Sequence, residues 1–189
     1  SIFDMFGGGA QQPRTARARP SKGVSAEVPL VISFYEAMKG GERQLTIDID
    51  GERKELKVRV PAGIRTGKKL RVKGKGHAGP AGPGDLLLLV KVEPDERFSI
   101  DGDDLRTEVA IKASLLFVGG SVDVPTIDGE RALRVGAGGK TVRIKGQGAP
   151  KLGAGGGRGD LYVDLKVMIP NELTADQRAA IEALAAVGL

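Results

Sequence analysis

Two glycine-rich stretches of this chain carry residues that bind phosphates in other proteins. Gly74-x-Gly76-x-x-Gly79 matches the dinucleotide fingerprint by letter and follows a strand-like run. Pro80 and Pro83 come next, however, and no helix is predicted whose N-terminus could hold a pyrophosphate. Gly139-Lys140-Thr141 resembles the end of a phosphate-binding loop, but Arg134 stands where that loop would need its first glycine. Neither stretch therefore predicts nucleotide binding.

Residues that could bind a metal or transfer a proton also lack the required spacing. Asp101-Gly102-Asp103-Asp104 begins like a calcium loop, but Lys112 stands where the closing glutamate belongs, so we interpret it as a charged turn joining two domains. His77 is the single histidine, and no Ser, Cys or carboxylate stands at a motif-like spacing from it. The chain has no cysteine. We therefore expect no enzyme, no metal site and no cofactor.

Positive charge is concentrated near the N-terminus. The formal net charge is +5, and residues 1–22 hold four bases (Arg14, Arg17, Arg19, Lys22) against Asp4, which is +3 and leaves +2 for the rest. A folded part so close to neutral argues against a dedicated nucleic-acid domain, although the basic tail keeps nucleic-acid association as an alternative. The sequence has neither an apolar run of about 18 residues nor a signal peptide, which predicts a soluble, cytoplasmic protein without a membrane partner.

One stretch of the chain occurs twice. Lys73-Gly74-x-Gly76 and Gly84-Asp85-Leu86 return as Lys145-Gly146-x-Gly148 and Gly159-Asp160-Leu161. A duplication of this length predicts two small domains. We place a flexible linker at residues 1–24, the first domain at 25–100, the second at 101–170 and a C-terminal helix at 171–189.

Alternating apolar residues predict that the first domain is built from strands. The alternating residues are Val28, Leu30, Ile32 and Phe34, then Leu45, Ile47 and Ile49, then Leu56, Val58 and Val60. Three such strands joined by turn residues predict an antiparallel sheet with one buried face. Tyr35 to Lys39 is predicted to form one helical turn ending at Gly40. Leu86 to Val92 is apolar on both faces, which predicts a central strand covered on both sides.

The residues from Asn171 onward change to a helical period. Thr174-x-x-Gln177 is a capping box, and Ile181, Leu184 and Ala185 fall on one stripe. The stripe either packs on the second domain or pairs with a second chain, and the sequence leaves both open.

The strands of the first domain are more apolar than a small domain can easily cover. One interpretation is that Val28, Leu30, Leu45 and Ile47 are all core. The other is a partly uncovered apolar groove beside a strand edge, which would accept an extended peptide.

Seven motifs in order resemble the C-terminal substrate-binding region of DnaJ-type J-domain proteins. They are Phe34-Tyr35-Glu36-Ala37-x-x-Gly40-Gly41, Val60-Pro61-Ala62-Gly63, Lys73-Gly74-x-Gly76, Gly84-Asp85-Leu86, Pro94-x-x-x-Phe98-x-x-Asp101-Gly102-Asp103-Asp104-Leu105, Val124-Pro125-Thr126-Ile127-Asp128-Gly129 and Arg158-Gly159-Asp160-Leu161. The resemblance covers Val24 to the C-terminus, and Phe3-Asp4-x-Phe6-Gly7-Gly8-Gly9 is similar to the end of that family's Gly/Phe linker. The cysteine-rich zinc repeat that class A members insert in the first of these domains is missing, so the sequence resembles class B. The His-Pro-Asp signature of a J domain is also missing from this sequence.

The resemblance implies a mainly β fold, with two tandem β-sandwich-like domains and a short C-terminal helix. It implies a co-chaperone fragment that binds unfolded or misfolded polypeptides without nucleotide or metal. In the full-length protein it would deliver them to a DnaK-type chaperone in protein folding and stress response. It also implies a homodimer closed at the C-terminal helix.

Carried over by position, the resemblance assigns the peptide-binding groove to five residues: Val28, Leu30, Leu45, Ile47 and Leu88. In some relatives, basic residues receive the acidic tail of the partner chaperone. Arg43 alone matches them here, since Thr46 stands at a position that can be lysine.

Overall fold

The computed structural model describes residues 21–153 and 156–188. Most of the predicted linker, including the Gly/Phe-like stretch and Arg14, Arg17 and Arg19, therefore lies outside the described residues. Strands account for 46% and helices for 14% of the structure, which confirms the mainly β prediction. No helix in the described ranges is long and apolar enough to cross a membrane.

The first half of the chain is a sandwich of two small sheets. Its elements are β1 (Ala26–Ile32), α1 (Phe34–Lys39), β2 (Gly41–Ile49), β3 (Glu52–Val60), β4 (Lys69–Val72) and β5 (Leu86–Val92). β2 and β3 form an antiparallel hairpin, and the other sheet has the strand order β1-β5-β4. Asp50 and Gly51 have positive φ angles of 59° and 78°, which close the hairpin turn. The apolar inner faces of the two sheets pack together as a continuous core.

The predicted antiparallel sheet is correct for β2 and β3 but wrong for β1. β1 pairs in parallel with β5, from Ala26 opposite Leu86 to Ile32 opposite Val92. The reason is α1, whose Ser33 capping box starts a helix immediately after β1 and carries the chain to the other layer. The predicted helical turn ending at Gly40 is confirmed.

β5 is a central strand, as predicted, but it is not covered by other residues on both faces. β5 is the middle strand of its sheet. Leu86, Leu88 and Val90 are buried on its inner face, but Leu87 is only half-buried and Leu89 is 40% exposed. The hairpin covers one face of the sheet, so the second apolar face of β5 stays open to solvent.

The second half repeats this arrangement. Its elements are β6 (Ser99–Asp101), β7 (Asp104–Lys112), α2 (Ala113–Val118), β8 (Gly120–Thr126), β9 (Gly129–Val135), β10 (Thr141–Ile144) and β11 (Leu161–Met168). One sheet has the order β10-β11-β7-β6, with β7 and β11 parallel as β1 and β5 are, and β8 and β9 form the hairpin. The same sequence motifs thus produce the same topology twice.

The expected charged turn between the domains is instead a tight turn inside the second half. Asp101 lies opposite Asp104 in the β6–β7 pair, and Gly102 has a φ angle of 61°. The predicted boundary at residue 100 therefore falls within β6.

The C-terminal helix is confirmed as α3 (Ala175–Ala186). The Gln177 N–H donates to the Thr174 hydroxyl at 3.2 Å, and the Thr174 N–H donates to Gln177 Oε1 at 3.0 Å, so the predicted capping box is formed. None of its described side chains is buried, which leaves its apolar stripe exposed.

An aspartate of each repeated Gly-Asp-Leu motif holds the loop before its strand. Asp85 accepts from Arg71 Nε at 2.7 Å and from the Gly74 N–H at 2.9 Å. Asp160 accepts from Arg143 Nε at 2.6 Å and from the Gly146 N–H at 2.8 Å. Each backbone N–H, and then each arginine, lowers the pKa of its aspartate. The repeated motif therefore forms the same hydrogen bonds in both halves, and these bonds close both loops.

Acid should weaken the fold through these two aspartates. Their lowered pKa values mean that the folded chain binds protons less readily than the unfolded chain. Their stabilising effect is thus complete above the ordinary aspartate pKa of about 3.9 and is lost as the pH falls through the lower folded values. Asp85→Asn with Asp160→Asn should lower the urea midpoint at neutral pH and reduce the further loss on acidification to about pH 3. Urea unfolding followed by circular dichroism measures both effects.

A matched control is Asp48→Asn with Asp123→Asn. Both aspartates are exposed, and within the described residues neither forms an ion pair or a side-chain hydrogen bond. This variant should retain the acid sensitivity of the unmodified chain. Equal acid sensitivity in the two double variants would show that the loop aspartates are not responsible.

Candidate peptide-binding groove

The five predicted groove residues lie at two depths of one apolar cluster. Leu30, Ile47 and Leu88 are 3%, 8% and 0% exposed, so they belong to the core of the first half. Val28 and Leu45 are partly buried and pack against that core. The structure therefore brings the five into one cluster, in which only Val28 and Leu45 are partly exposed.

Strand pairing explains why these two residues are accessible. β1 pairs only with β5, and β2 only with β3, among the described residues, so each leaves one backbone edge unpaired. Val28 lies opposite Leu88 in the first sheet, and Leu45 lies opposite Leu56 in the hairpin. Val28 and Leu45 are therefore the last inward-facing apolar residues before an open strand edge. An extended peptide could form backbone hydrogen bonds with that edge.

A shallow depression surrounds the Leu45–Leu56 pair. Its volume is about 260 Å³, and its rim is formed by polar side chains of the hairpin: Gln44, Thr46, Glu55 and Lys57. An apolar floor with a polar rim suits one apolar side chain of an extended peptide. Leu56, which the sequence analysis placed in the alternating run of β3, is 8% exposed and belongs to the core beside Leu45.

Arg43 is already engaged within the chain. Its Nη1 donates to Glu36 Oε1 at 2.8 Å and to Oε2 at 2.7 Å. Glu36 also accepts from the Ser33 N–H at 2.9 Å, and this backbone donor, together with the Ser33 hydroxyl and Arg43, lowers the pKa of Glu36. An anionic ligand at Arg43 would therefore compete with Glu36.

His77 has a carboxylate partner that sequence spacing did not show. Its Nδ1 lies 2.7 Å from Asp50 Oδ1, and the Ala78 N–H donates to Asp50 Oδ2 at 3.0 Å. His77, followed by the Ala78 N–H, lowers the pKa of Asp50. Both carboxylate oxygens thus join the β2–β3 turn to the Gly-Pro loop before β5.

The start of the described chain is hydrogen-bonded to the same Gly-Pro loop. The Gly23 N–H donates to the Gly82 carbonyl at 3.0 Å, and the His77 N–H donates to the Val24 carbonyl at 3.1 Å. Residues 21–24, which the sequence placed in the flexible linker, are therefore hydrogen-bonded to the first half. The segment leads directly into the edge strand β1 and fixes its start.

Comparison with known proteins gives one consistent result. Residues 26–170 match the family model described as the DnaJ C terminal domain. The chain is 43% identical over 187 residues to "Chaperone protein DnaJ" of Deinococcus proteolyticus, which covers 97% of this chain and 57% of that protein. It is 36% identical over 185 residues to "Chaperone protein DnaJ 2" of Thermus thermophilus, which covers 96% of this chain and 62% of that protein.

The chain thus spans about three-fifths of the length of these relatives. The family match covers both repeated halves, including the two strand edges and the aspartate-closed loops. The chain belongs to the DnaJ C-terminal domain family.

Proposed function

We propose that this chain is the client-holding part of a DnaJ-type co-chaperone. It binds exposed apolar segments of unfolded or misfolded polypeptides at Val28 and Leu45, without nucleotide or metal. The observation that carries the proposal is that these two residues extend a buried apolar core to the unpaired edges of β1 and β2. The printed names of the relatives, which are chaperone proteins, support the same role.

The proposed binding has a general part and a selective part. Hydrogen bonds from an open strand edge to a peptide backbone do not depend on the peptide's sequence. Burying one Leu- or Phe-sized side chain contributes roughly 1.5–3 kcal/mol, from which the ordering of the peptide must be subtracted. The result is weak, exchangeable binding with an apolar preference, which suits a protein that holds many different clients briefly.

Replacing Val28 and Leu45 with serine should weaken client holding at least about tenfold, since two partly exposed apolar contacts are removed. The measurement is suppression of aggregation of a chemically unfolded model protein, without nucleotide, at low and high salt. Protection by the unmodified chain should survive high salt, because the contact is apolar.

The chain offers a matched control on the outer face of the β1-β5-β4 sheet. Val31 and Leu89 are 43% and 40% exposed, and their replacement by serine removes the same side chains from the outer face. This variant should protect the client as well as the unmodified chain does. Equal loss in both variants would contradict the groove assignment. Protection that disappears with salt would instead favour electrostatic binding of the client through the basic N-terminal tail.

We also propose that the chain forms a homodimer through α3. The helix faces a cleft of about 830 Å³ at the end of β11 and beside α2. Phe117, Met168, Ile169, Ile181 and Leu184 line the cleft and are 41–83% exposed. Apolar surface of this extent is typical of an interface. Two copies would present two weak grooves to one long client, which raises the effective affinity without any new kind of contact.

In the full-length protein, the client would pass to a DnaK-type chaperone, and Arg43 is a candidate contact for an acidic tail of that partner. Because Arg43 already pairs with Glu36, such a tail would have to displace Glu36 from Arg43.

The repeated topology supports a division into two domains, and the stretch from Glu93 to Phe98 between β5 and β6 is their proposed junction.

A further inference from the structure

A cleft between the two halves is lined by basic side chains from both of them. Lys39 at the end of α1 and Arg59 of β3 line it from the first half, and Lys151 lines it from the second. We call these three residues the cleft cations. The cleft has a volume of about 740 Å³, and its other described lining residues are glycine, proline, alanine and valine. No carboxylate is among them, and residues 151–157 contain no acid in sequence.

Close contacts hold the walls of this cleft together. Gly63 packs against the second half so tightly that a Cβ atom there would clash with the Pro150 carbonyl oxygen. Arg65 donates from Nη1 to the Gly63 carbonyl at 2.9 Å and from Nη2 to the Gly102 carbonyl at 3.3 Å. The two halves therefore meet directly beside the cleft, which keeps its cations facing one space.

The neighbouring acids leave this charge unbalanced. Within the described residues, none of the three cleft cations forms an ion pair. Glu42 lies opposite Arg59 in the hairpin register without pairing with it. Arg158 donates to both Asp128 oxygens and is the main cause of the lowered pKa of Asp128, to which Lys39 contributes less. The cleft thus keeps an excess of positive charge.

We propose that this cleft binds an acidic segment of a polypeptide, with its carboxylates against the three cleft cations. Arginine and lysine side chains that converge from two walls suit the separate carboxylates of one extended segment. A nucleic acid would instead need cations spread along a face to follow its phosphates. The cleft shares no lining residue with the depression around Leu45 and Leu56, so it is separate from the apolar groove.

The probe is a fluorescent oligoglutamate peptide, and binding is measured by anisotropy at low salt. The variant Lys39→Gln with Arg59→Gln and Lys151→Gln should bind about tenfold more weakly, because three exposed charge contacts are removed. Lys68→Gln with Lys91→Gln and Lys140→Gln removes the same charge from exposed positions outside the cleft. This control should bind within about twofold of the unmodified chain.

Three results would overturn the proposal. They are no binding by the unmodified chain, equal weakening in the two triple variants, and cleft-dependent binding of an oligothymidylate that is tighter than that of the peptide. Lys151→Gln alone, at an exposed loop position, tests the cleft if the triple variant does not fold. It should weaken peptide binding about threefold.

Discussion

Replacing Leu30 with aspartate should unfold the first half of the chain, in addition to removing any peptide binding. Leu30 is 3% exposed and lies opposite Val90 on the inner face of the β1-β5-β4 sheet. Losing a buried leucine side chain costs about 2–5 kcal/mol, and an unpaired buried carboxylate adds several more, against a typical domain stability of about 5–15 kcal/mol. Urea unfolding followed by far-ultraviolet circular dichroism measures the loss.

Val31 supplies the comparison, because it is the next residue of the same strand and is 43% exposed. Val31→Asp should change the free energy of unfolding by about 0.5 kcal/mol or less if its outer face is solvated. Similar urea midpoints for the two variants would mean that Leu30 is not a core residue. All five predicted groove residues would then again be candidates for direct contact with a client.

A second large effect is expected at the C-terminal helix. Ile181→Asp with Leu184→Asp should convert the proposed dimer to a monomer, since both side chains line the exposed apolar cleft beside α2. With one groove per molecule, the affinity for a long client should fall by about a hundredfold or more. Sedimentation measures the mass, and protection of a long unfolded client measures the affinity.

Ala179→Asp with Ala186→Asp is the control for this helix. At about 100° per residue, both alanines point away from Ile181 and Leu184, and neither lines the cleft. This variant adds the same charge and should remain a dimer. A monomeric mass for the unmodified chain, or equal dissociation in both variants, would contradict dimerisation through α3.

Local patterns in the sequence predicted the local parts of the fold. The runs ending at Ile49 and starting at Leu56, with Asp50 and Gly51 between them, specify a hairpin because the turn joins adjacent strands. The partner of β1 was not predictable in this way. Its apolar alternation shows which face is buried but does not select β5 as its neighbour, and the helix that Ser33 caps prevents a β1–β2 hairpin.

The same distinction applies to the candidate site. Alternation places Val28 and Leu30 on one face of β1, but their depths depend on how far the hairpin covers that face. Sequence spacing could not pair His77 with Asp50, because 27 residues separate them and the fold brings them together. The Asp85 and Asp160 hydrogen bonds, by contrast, follow from a repeat that was visible in the sequence.

The parallel pairing of β1 with β5 also constrains how the protein is made. Ala26 lies opposite Leu86, so 60 residues must be added after Ala26 before this pairing can begin. At about 5–20 residues per second, the ribosome takes roughly 3–12 seconds to add them. During that interval the apolar strand β1 has no partner and depends on its surroundings to remain unaggregated. A nascent chain of this protein is therefore itself a potential chaperone client.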